Sequence, residues 1–286
     1  MNNADSEKSP TCGVPLGSVL VAPAHWRQID FISDLHLQAN EAETFECWQR
    51  FMHTTQVDAL FILGDLFEVW VGDDVAQPAL TLHDPDCGFE ARCGQVLREA
   101  SRRLPVYFMH GNRDFLLGPA FAKTCGMTIL SDPTVLDFAG QRWLLSHGDA
   151  LCLADTDYMN FRRLVRSPQW QSDFLNQPLT QRQETARALR AKSEQLKLSG
   201  ASYADLDTQG CHDWLHIAQA TTLIHGHTHQ PADHDLPNGL KRITLSDWDA
   251  RAVPPRAEVL RLTAPSPDAN KAKGAVKRLS VHHIRA

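Results

Sequence analysis

Apolar residues fall along this chain in short, nearly unbroken runs, and each run stops at a cluster of Gly, Asp, Asn or His. Gln28–Ser33 ends at Asp34-Leu35-His36, and Val57–Leu63 (VDALFIL) ends at Gly64-Asp65. Pro105–Met109 (PVYFM) leads into Gly111-Asn112-Arg113-Asp114, Arg142–Ser146 (RWLLS) into His147-Gly148-Asp149, and Thr221–Ile224 (TTLI) into His225-Gly226-His227-Thr228-His229. Short apolar runs bounded by such residues predict strands buried on both faces. Between them, Glu41–His53, Phe89–Leu104 and Asp205–Ala220 read as helices, so the class is α/β. Thr134–Ser146 predicts a hairpin turning at Ala139-Gly140. Lys241–Ser246, Glu258–Thr263 and Arg278–Ile284 alternate in the manner of strands.

The pattern changes at two places. Residues 1–27 show no sustained periodicity and predict a loose N-terminal extension. Over 152–204 the strand-like runs vanish and Arg, Gln, Ala and Leu take over, predicting an inserted helical cap. The core is then 28–151 together with 205–263. Residues 264–286 form a basic C-terminal segment with a linker-like Ala264–Gly274.

Composition narrows the class. The chain has 286 residues, 43% hydrophobic and 22% charged, which excludes disordered, collagen-like and coiled-coil architectures. Runs such as Ala59–Leu63 fall far short of the roughly 20 residues a membrane-spanning helix needs. The start, MNNADSEKSP, lacks the apolar stretch of a secretory signal, so the cytoplasm is the expected compartment. Seven cysteines with no C-x-x-C pair argue against a disulfide framework and against a thiolate zinc site. The formal charge is −6, yet residues 251–286 hold eight Lys/Arg against two acids, so the rest of the chain carries −12. That excess of carboxylate calls for a cation.

The strand ends supply the place for one. Asp34, His36, Asp65, Asn112, His147, His225 and His227 all stand where buried strands stop, the rim at which open α/β sheets bind ligands. Any one of them is a common turn residue; five convergent ends carry the argument. Two carboxylates, four imidazoles and an amide oxygen, without thiolate, suit two adjacent Mn²⁺, Fe²⁺, Co²⁺ or Zn²⁺ ions. Such a pair acidifies water and clamps a phosphoryl group, pointing to hydrolysis of a phosphate ester or anhydride. His229, third in its run, is expected behind the ligands, and His110 is expected to orient its loop.

The ordered set D-x-H (34, 36), G-D (64, 65), G-N-R-D (111–114), S-H-G-D (146–149) and H-G-H-T-H (225–229) resembles the calcineurin-like metallophosphoesterases over about residues 28–250. The resemblance implies a two-sheet α/β sandwich flanked by helices, with a dinuclear site. By analogy one metal takes Asp34, His36, Asp65 and His227, and the other takes Asp65, Asn112, His147 and His225, with Asp65 bridging. The stretches FISDLHL, FILGDLFEVWVGDD, FMHGNRDFLLG, SHGDALCLADTDYMNFRRLVR and LIHGHTHQP are similar to a narrower group, the UDP-2,3-diacylglucosamine pyrophosphatases of lipid A biosynthesis. That likeness implies cleavage to UMP and a lipid 1-phosphate, Mn²⁺ as cofactor, and peripheral residence on the cytoplasmic face of the inner membrane. It also places Arg113 against the phosphate and gives substrate contacts to Asn112, Arg113, Asp155, Ser193, Lys197 and His225.

The cap agrees in charge. Residues 158–200 carry eight Lys/Arg and three acids, a basic lid suited to a diphosphate. Its Trp170, Phe174, Leu175, Leu179, Leu189, Leu196 and Leu198 either line a groove for acyl chains or form the cap's own core. Trp70 and Tyr158 are expected to pack, and Asp73, Asp74 and Asp149 to organise loops. The basic tail either attracts an anionic membrane surface or forms an edge strand, KRLSVHHI, kept soluble by its charges. The acidic body argues against a nucleic-acid partner, and no obligate protein partner is evident. Rival readings are a phosphatase for soluble nucleotides or phosphoproteins and a metal-binding scaffold without turnover.

Overall fold

The structure is a computed structural model describing residues 18–79, 88–198, 204–266 and 274–281, with the side chains of 77–79 and 192–198 outside the description. The strands are β1 (Ser18–Val21), β2 (Gln28–Ile32), β3 (Ala59–Leu63), β4 (Val106–Met109), β5 (Met127–Leu130), β6 (Thr134–Phe138), β7 (Gln141–Leu145), β8 (Thr222–His225), β9 (Ala232–Asp235), β10 (Lys241–Thr244), β11 (Glu258–Thr263) and β12 (Ala275–Ser280). The helices are α1 (Ala42–Thr54), α2 (Phe89–Ser101), α3 (Pro119–Cys125), α4 (Thr156–Val165), α5 (Pro168–Leu175), α6 (Leu179–Leu198) and α7 (Thr208–Ala218).

Two mixed six-stranded sheets form, in the orders β12-β11-β2-β3-β4-β5 and β1-β6-β7-β8-β10-β9. In the first, β2, β3, β4 and β5 run parallel and β11 is antiparallel to β2. Alternation along the apolar runs explains why they are unbroken. Phe61 and Leu63 of β3 face the other sheet, packing with Leu136, Trp143 and Ile224, whereas Leu60 and Ile62 face the helices, packing with Trp48, Phe51 and Val96. Both faces of β3 leave water, so neither can be polar. Phe31, Phe61 and Tyr107 occupy matching positions on β2, β3 and β4, and their rings stack at 4.9 and 4.8 Å. A third cluster joins Val135, Leu144 and Leu223 to Trp214 and Leu215 of α7. The layers are therefore helix, sheet, sheet, helix.

The helices bury the residues their spacing predicts: Phe45, Trp48, Phe51 and Met52 on α1, and Cys93, Val96, Leu97 and Ala100 on α2. Over the predicted cap lie α4, α5 and α6, of which α5 and α6 pack Trp170, Phe174 and Leu179 on the main core. No helix among the described residues is long and apolar enough to cross a membrane.

Two expectations need correction at the chain ends. The stretch 18–27 is not loose: β1 pairs in parallel with β6, and Trp26 is buried between the sheets; residues 1–17 lie outside the described residues. The tail also joins the fold earlier than Arg278, because β12 pairs along β11 from Ala275. Here Arg278 is taken up by Glu258 (2.8 Å) and Asp233 (2.6 Å). Residues 267–273 and 282–286 lie outside the described residues.

Candidate metal centre

The rim is built by backbone before any side chain acts. Beyond the ends of β2 and β3 the parallel ladder continues into the loops: the amides of Asp34, His36 and Leu37 donate to the carbonyls of Gly64, Asp65 and Leu66 at 3.0 to 3.1 Å. Asp34, His36 and Asp65 adopt left-handed φ values of 53°, 48° and 53°, and His227 and His229 of 70° and 54°. Such conformations cost on the order of 1 kcal/mol or more each and persist where surrounding bonds over-determine them. Two glycines let the loops close. A Cβ on Gly111 would collide with the Asp65 carboxylate and amide, and one on Gly226 with the Asp34 carboxylate and the Ser33 hydroxyl.

Two groups of potential ligand atoms result, Asp34 with His36 and His229, and Asp34 with Asp65 and His147. His36 Nε2 lies 3.1 Å from His229 Nε2 and 4.0 Å from Asp65 Oδ2, while His147 Nε2 lies 3.8 Å from Asp65 Oδ2. Asp65 thus stands between the two imidazoles. Asn112 Oδ1 completes the second side, 3.0 Å from His147 Nε2 and 2.9 Å from His227 Nδ1. His147 Nδ1 donates to the Leu63 carbonyl at 2.9 Å, which fixes its ring and turns Nε2 to the site.

Buried carboxylates dominate the centre of the rim. Asp34, Asp65 and His147 are buried. Burial alone would raise the Asp34 pKa, but its hydrogen bond with His229 and the nearby His147 and His36 hold it well below the usual range. Burial would lower that of His147, yet the carboxylates of Asp65, Asp149 and Asp34 raise it to about 9. The carboxylates around His147 thus favour positive charge at the centre of the rim. Burial lowers His36, and lowers His227 to about 4 with help from His147. Carboxylate, imidazole and amide oxygen in one anionic pocket fit divalent cations, and the residues present are sufficient for two.

The structure departs from the expectation at the H-G-H-T-H run. His225 was expected among the ligands and His229 behind them; the structure places His229 against Asp34 (3.4 Å) and His36, and takes His225 away. His225 is the last residue of β8, one position after Ile224, which faces the other sheet, and two after Leu223, which faces α7. It therefore shares Leu223's outer face. There its Nδ1 donates to the Gly226 carbonyl at 2.8 Å and Thr244 Oγ1 lies 3.1 Å from its Nε2, while burial lowers its pKa to about 3. The period of two along TTLIH contained this information.

Other predicted residues are distributed as follows. Arg113 donates its amide to Asp65 Oδ1 at 2.8 Å and holds Nη1 3.7 Å from Glu68. Asp155 caps α4, accepting from the Tyr158 amide at 3.0 Å. Ser193 and Lys197 fall on α6, but their side chains lie outside the described residues. Trp170, Phe174 and Leu179 pack on the main core, whereas Leu175 and Leu189 are exposed; Leu196 and Leu198 lie outside the described side chains. His110 Nε2 donates to the Leu117 carbonyl at 2.7 Å, and Asp73 accepts the Gly118 and Phe121 amides.

Three further carboxylates shape the site. Asp114, buried and raised to about 7 by burial and by Asp65, accepts the Leu66 and Gly111 amides and so clamps two rim loops together. Asp149 accepts from Tyr158 Oη (2.6 Å) and Arg162 Nε (2.7 Å), joining α4 to the rim. Tyr158 in turn stacks on His227 at 5.9 Å. Glu68, which sequence reading passed over, meets His36, Arg113 and Arg190. Its advance signal was its place in the FILGDLFEVWVGDD stretch, three residues beyond Asp65.

The profile of a family described as calcineurin-like phosphoesterase matches residues 27–231. A UDP-2,3-diacylglucosamine hydrolase from Shewanella pealeana is 41% identical over 222 residues, covering 76% of this chain and 89% of that protein. One from Stutzerimonas stutzeri is 40% identical over 225 residues, covering 76% of this chain and 90% of that protein.

Proposed function

The chain belongs to the calcineurin-like phosphoesterase family, and from that premise we propose that it hydrolyses the pyrophosphate bond of UDP-2,3-diacylglucosamine in lipid A biosynthesis. Water attacks the α-phosphorus, and UMP and 2,3-diacylglucosamine 1-phosphate are released. The observation that carries this reading is the buried convergence of Asp34, Asp65 and His147 beneath a basic cap. The relatives' printed name supplies the substrate.

In this reading Asp34, His36, Asp65 and His229 would hold one divalent cation, and Asp65, Asn112, His147 and His227 would hold the other, with manganese as the expected metal. When bound, the pair supplies Lewis acidity to phosphoryl oxygens and acidifies water. The chain's own residues do the remainder. Arg113, anchored through its amide to Asp65, presents its guanidinium to the charge that grows on the phosphoryl oxygens. The phosphate leaving group needs little protonation, so no strong general acid is required. Asp155, Ser193 and Lys197 remain proposed substrate contacts. His225 is not carried forward as a contact, because both of its ring nitrogens are engaged on the far face of the sheet.

Exposed Leu153, Phe161, Leu164, Leu175 and Leu189 on or beside the cap supply the apolar surface that acyl chains require. We place the protein on the cytoplasmic face of the inner membrane, with the cap as the docking side. The tail is a weaker candidate for that docking, since its Arg278 is already paired.

Turnover of UDP-2,3-diacylglucosamine by the purified protein in ¹⁸O water tests the reading. Manganese-dependent activity, lost with a chelator, should deliver the heavy oxygen to UMP. Heavy oxygen in the lipid phosphate contradicts the attacked phosphorus; equal turnover of unacylated UDP-glucosamine contradicts the lipid substrate.

A further inference from the structure

Given the phosphoesterase reading above, on which this rests, we propose that Arg166 of the cap is a positioning residue. Its guanidinium holds the Gly111–Asn112 peptide and thereby sets the loop that presents Asn112 and Arg113 to the substrate phosphate.

Arg166 closes α4, and its amide still donates to the Arg162 carbonyl at 3.0 Å, so its side chain leaves the cap from a fixed point. From there Nη2 donates to the Gly111 carbonyl at 2.8 Å and lies 3.7 Å from Asp149 Oδ2. The guanidinium carbon sits 5.2 Å from the centre of the Phe115 ring, a cation–π contact. Phe115 in turn meets Trp170 of α5 at 6.2 Å. A carbonyl, a buried carboxylate and an aromatic face thus surround a rigid, planar, permanently charged group. Arg166 directs its charge at the protein, so part of the basic cap holds the rim.

The Gly111 carbonyl matters because it shares one rigid plane with the Asn112 nitrogen. Glycine leaves its own dihedrals free, so the orientation of that plane comes from the bonds around it. The Gly111 amide donates to Asp114 Oδ1 at 2.8 Å, the Arg113 amide to Asp65 Oδ1 at 2.8 Å, and the Trp70 amide to the Arg113 carbonyl at 3.1 Å. Those three anchors belong to the core, whereas the Gly111 carbonyl between them is held from the cap. Asn112 Oδ1 lies 3.0 Å from His147 Nε2 and 2.9 Å from His227 Nδ1, so a tilt of the plane moves an atom that stands among the metal-site imidazoles. The same loop carries Arg113, the arginine assigned to the phosphate. Arg166 therefore couples the seating of the cap to the geometry of the rim without touching the substrate.

Gly111-Asn112 is the sole Gly-Asn pair in the chain. Carbonyl-¹³C glycine combined with ¹⁵N asparagine therefore gives a single amide cross-peak for this peptide in the full-length, metal-free protein. In Arg166→Met its carbonyl carbon should move upfield as the hydrogen bond is lost; an unmoved carbon overturns the proposal. Arg163→Met removes the same charge from α4 and should leave the cross-peak in place. An equal shift there overturns the proposal, because cap charge rather than this bond would set the carbon. With manganese and UDP-2,3-diacylglucosamine, kcat of Arg166→Met should fall by up to about 100-fold, the scale of a small misplacement near the chemistry, with KM little changed. An unchanged kcat overturns the proposal whether or not KM rises, since a rise in KM alone marks a direct substrate contact. Wild-type protein without manganese-dependent turnover overturns the phosphoesterase reading, while the cross-peak still judges the hold on the loop separately. Where Arg166→Met does not fold by circular dichroism, Arg166→Lys is read in the same way; if neither folds, Arg166 supports the fold rather than the loop and the proposal fails.

Discussion

The strand-end rim and the helical cap are held by opposite means. At the rim, main-chain hydrogen bonds extend the β2–β3 ladder into the loops, so Asp34, His36 and Asp65 are placed by backbone register. At the cap, polar side chains do much of the holding. Asp149 binds Tyr158 and Arg162, Asp74 binds Arg182, and Glu68 binds Arg190. Among the described residues, Phe174, Trp170, Leu179 and Ala186 supply apolar docking. A ladder leaves the rim side chains little freedom, whereas ion pairs between long side chains leave more.

The contrast breaks most sharply at Asp65. Asp65→Ala should reduce turnover on the order of 10³-fold or more, the scale on which a major transition-state stabiliser is lost, with an unchanged circular dichroism spectrum. Retained turnover would sink the metal reading. Next in size, His229→Gln should weaken manganese binding by about 10–100-fold, whereas His225→Gln should leave it intact and instead lower stability by about 1–3 kcal/mol through its buried partners. The reverse result would restore the assignment drawn from the sequence.

At the junction of the two regions, Asp149→Asn removes the carboxylate that holds Arg162 and should raise KM more than it lowers kcat. Burial would raise the Asp149 pKa, but Arg162, His147 and Arg166 overcome it and depress it. A depressed folded-state pKa means that its stabilisation is present above the unfolded value, about 4, and is lost as pH falls below it. Thermal melts of metal-free protein should therefore show a shallower acid loss below about pH 4 in Asp149→Asn than in the wild type. Parallel curves would show that the pair contributes nothing to acid sensitivity. Smallest of all, Leu164→Ser on the exposed face of α4 should change stability by less than about 0.5 kcal/mol while raising KM for the acylated substrate alone. An equal change with a short soluble substrate would remove that face from the lipid site.

Most strands were legible because they are short and buried on both faces; β3 could be read directly from VDALFIL. β1 escaped because SVLV lies in a stretch without further periodicity, and its place is given only by its partner β6. β5 and β9 escaped for similar reasons, being four-residue strands whose neighbours define them. The cap was legible as a change of composition, whereas the choice between packing and groove was not. Trp170, Phe174 and Leu179 went to the core while Leu175 and Leu189 stayed outside, a division that depends on how α5 and α6 lie against the core.

By itself the sequence determined that buried strands end in Asp34, Asp65, Asn112 and His147, because an apolar run bounded by turn residues has few folded solutions. Tertiary structure decided which member of H-G-H-T-H turns inward. The alternation of β8 sends His225 to the outer face, and the left-handed turns at His227 and His229 bring those rings to Asn112 and Asp34. It also decided that Glu68 lies near His36 and Arg113, since that proximity arises from the register between two loops and no spacing within either loop encodes it.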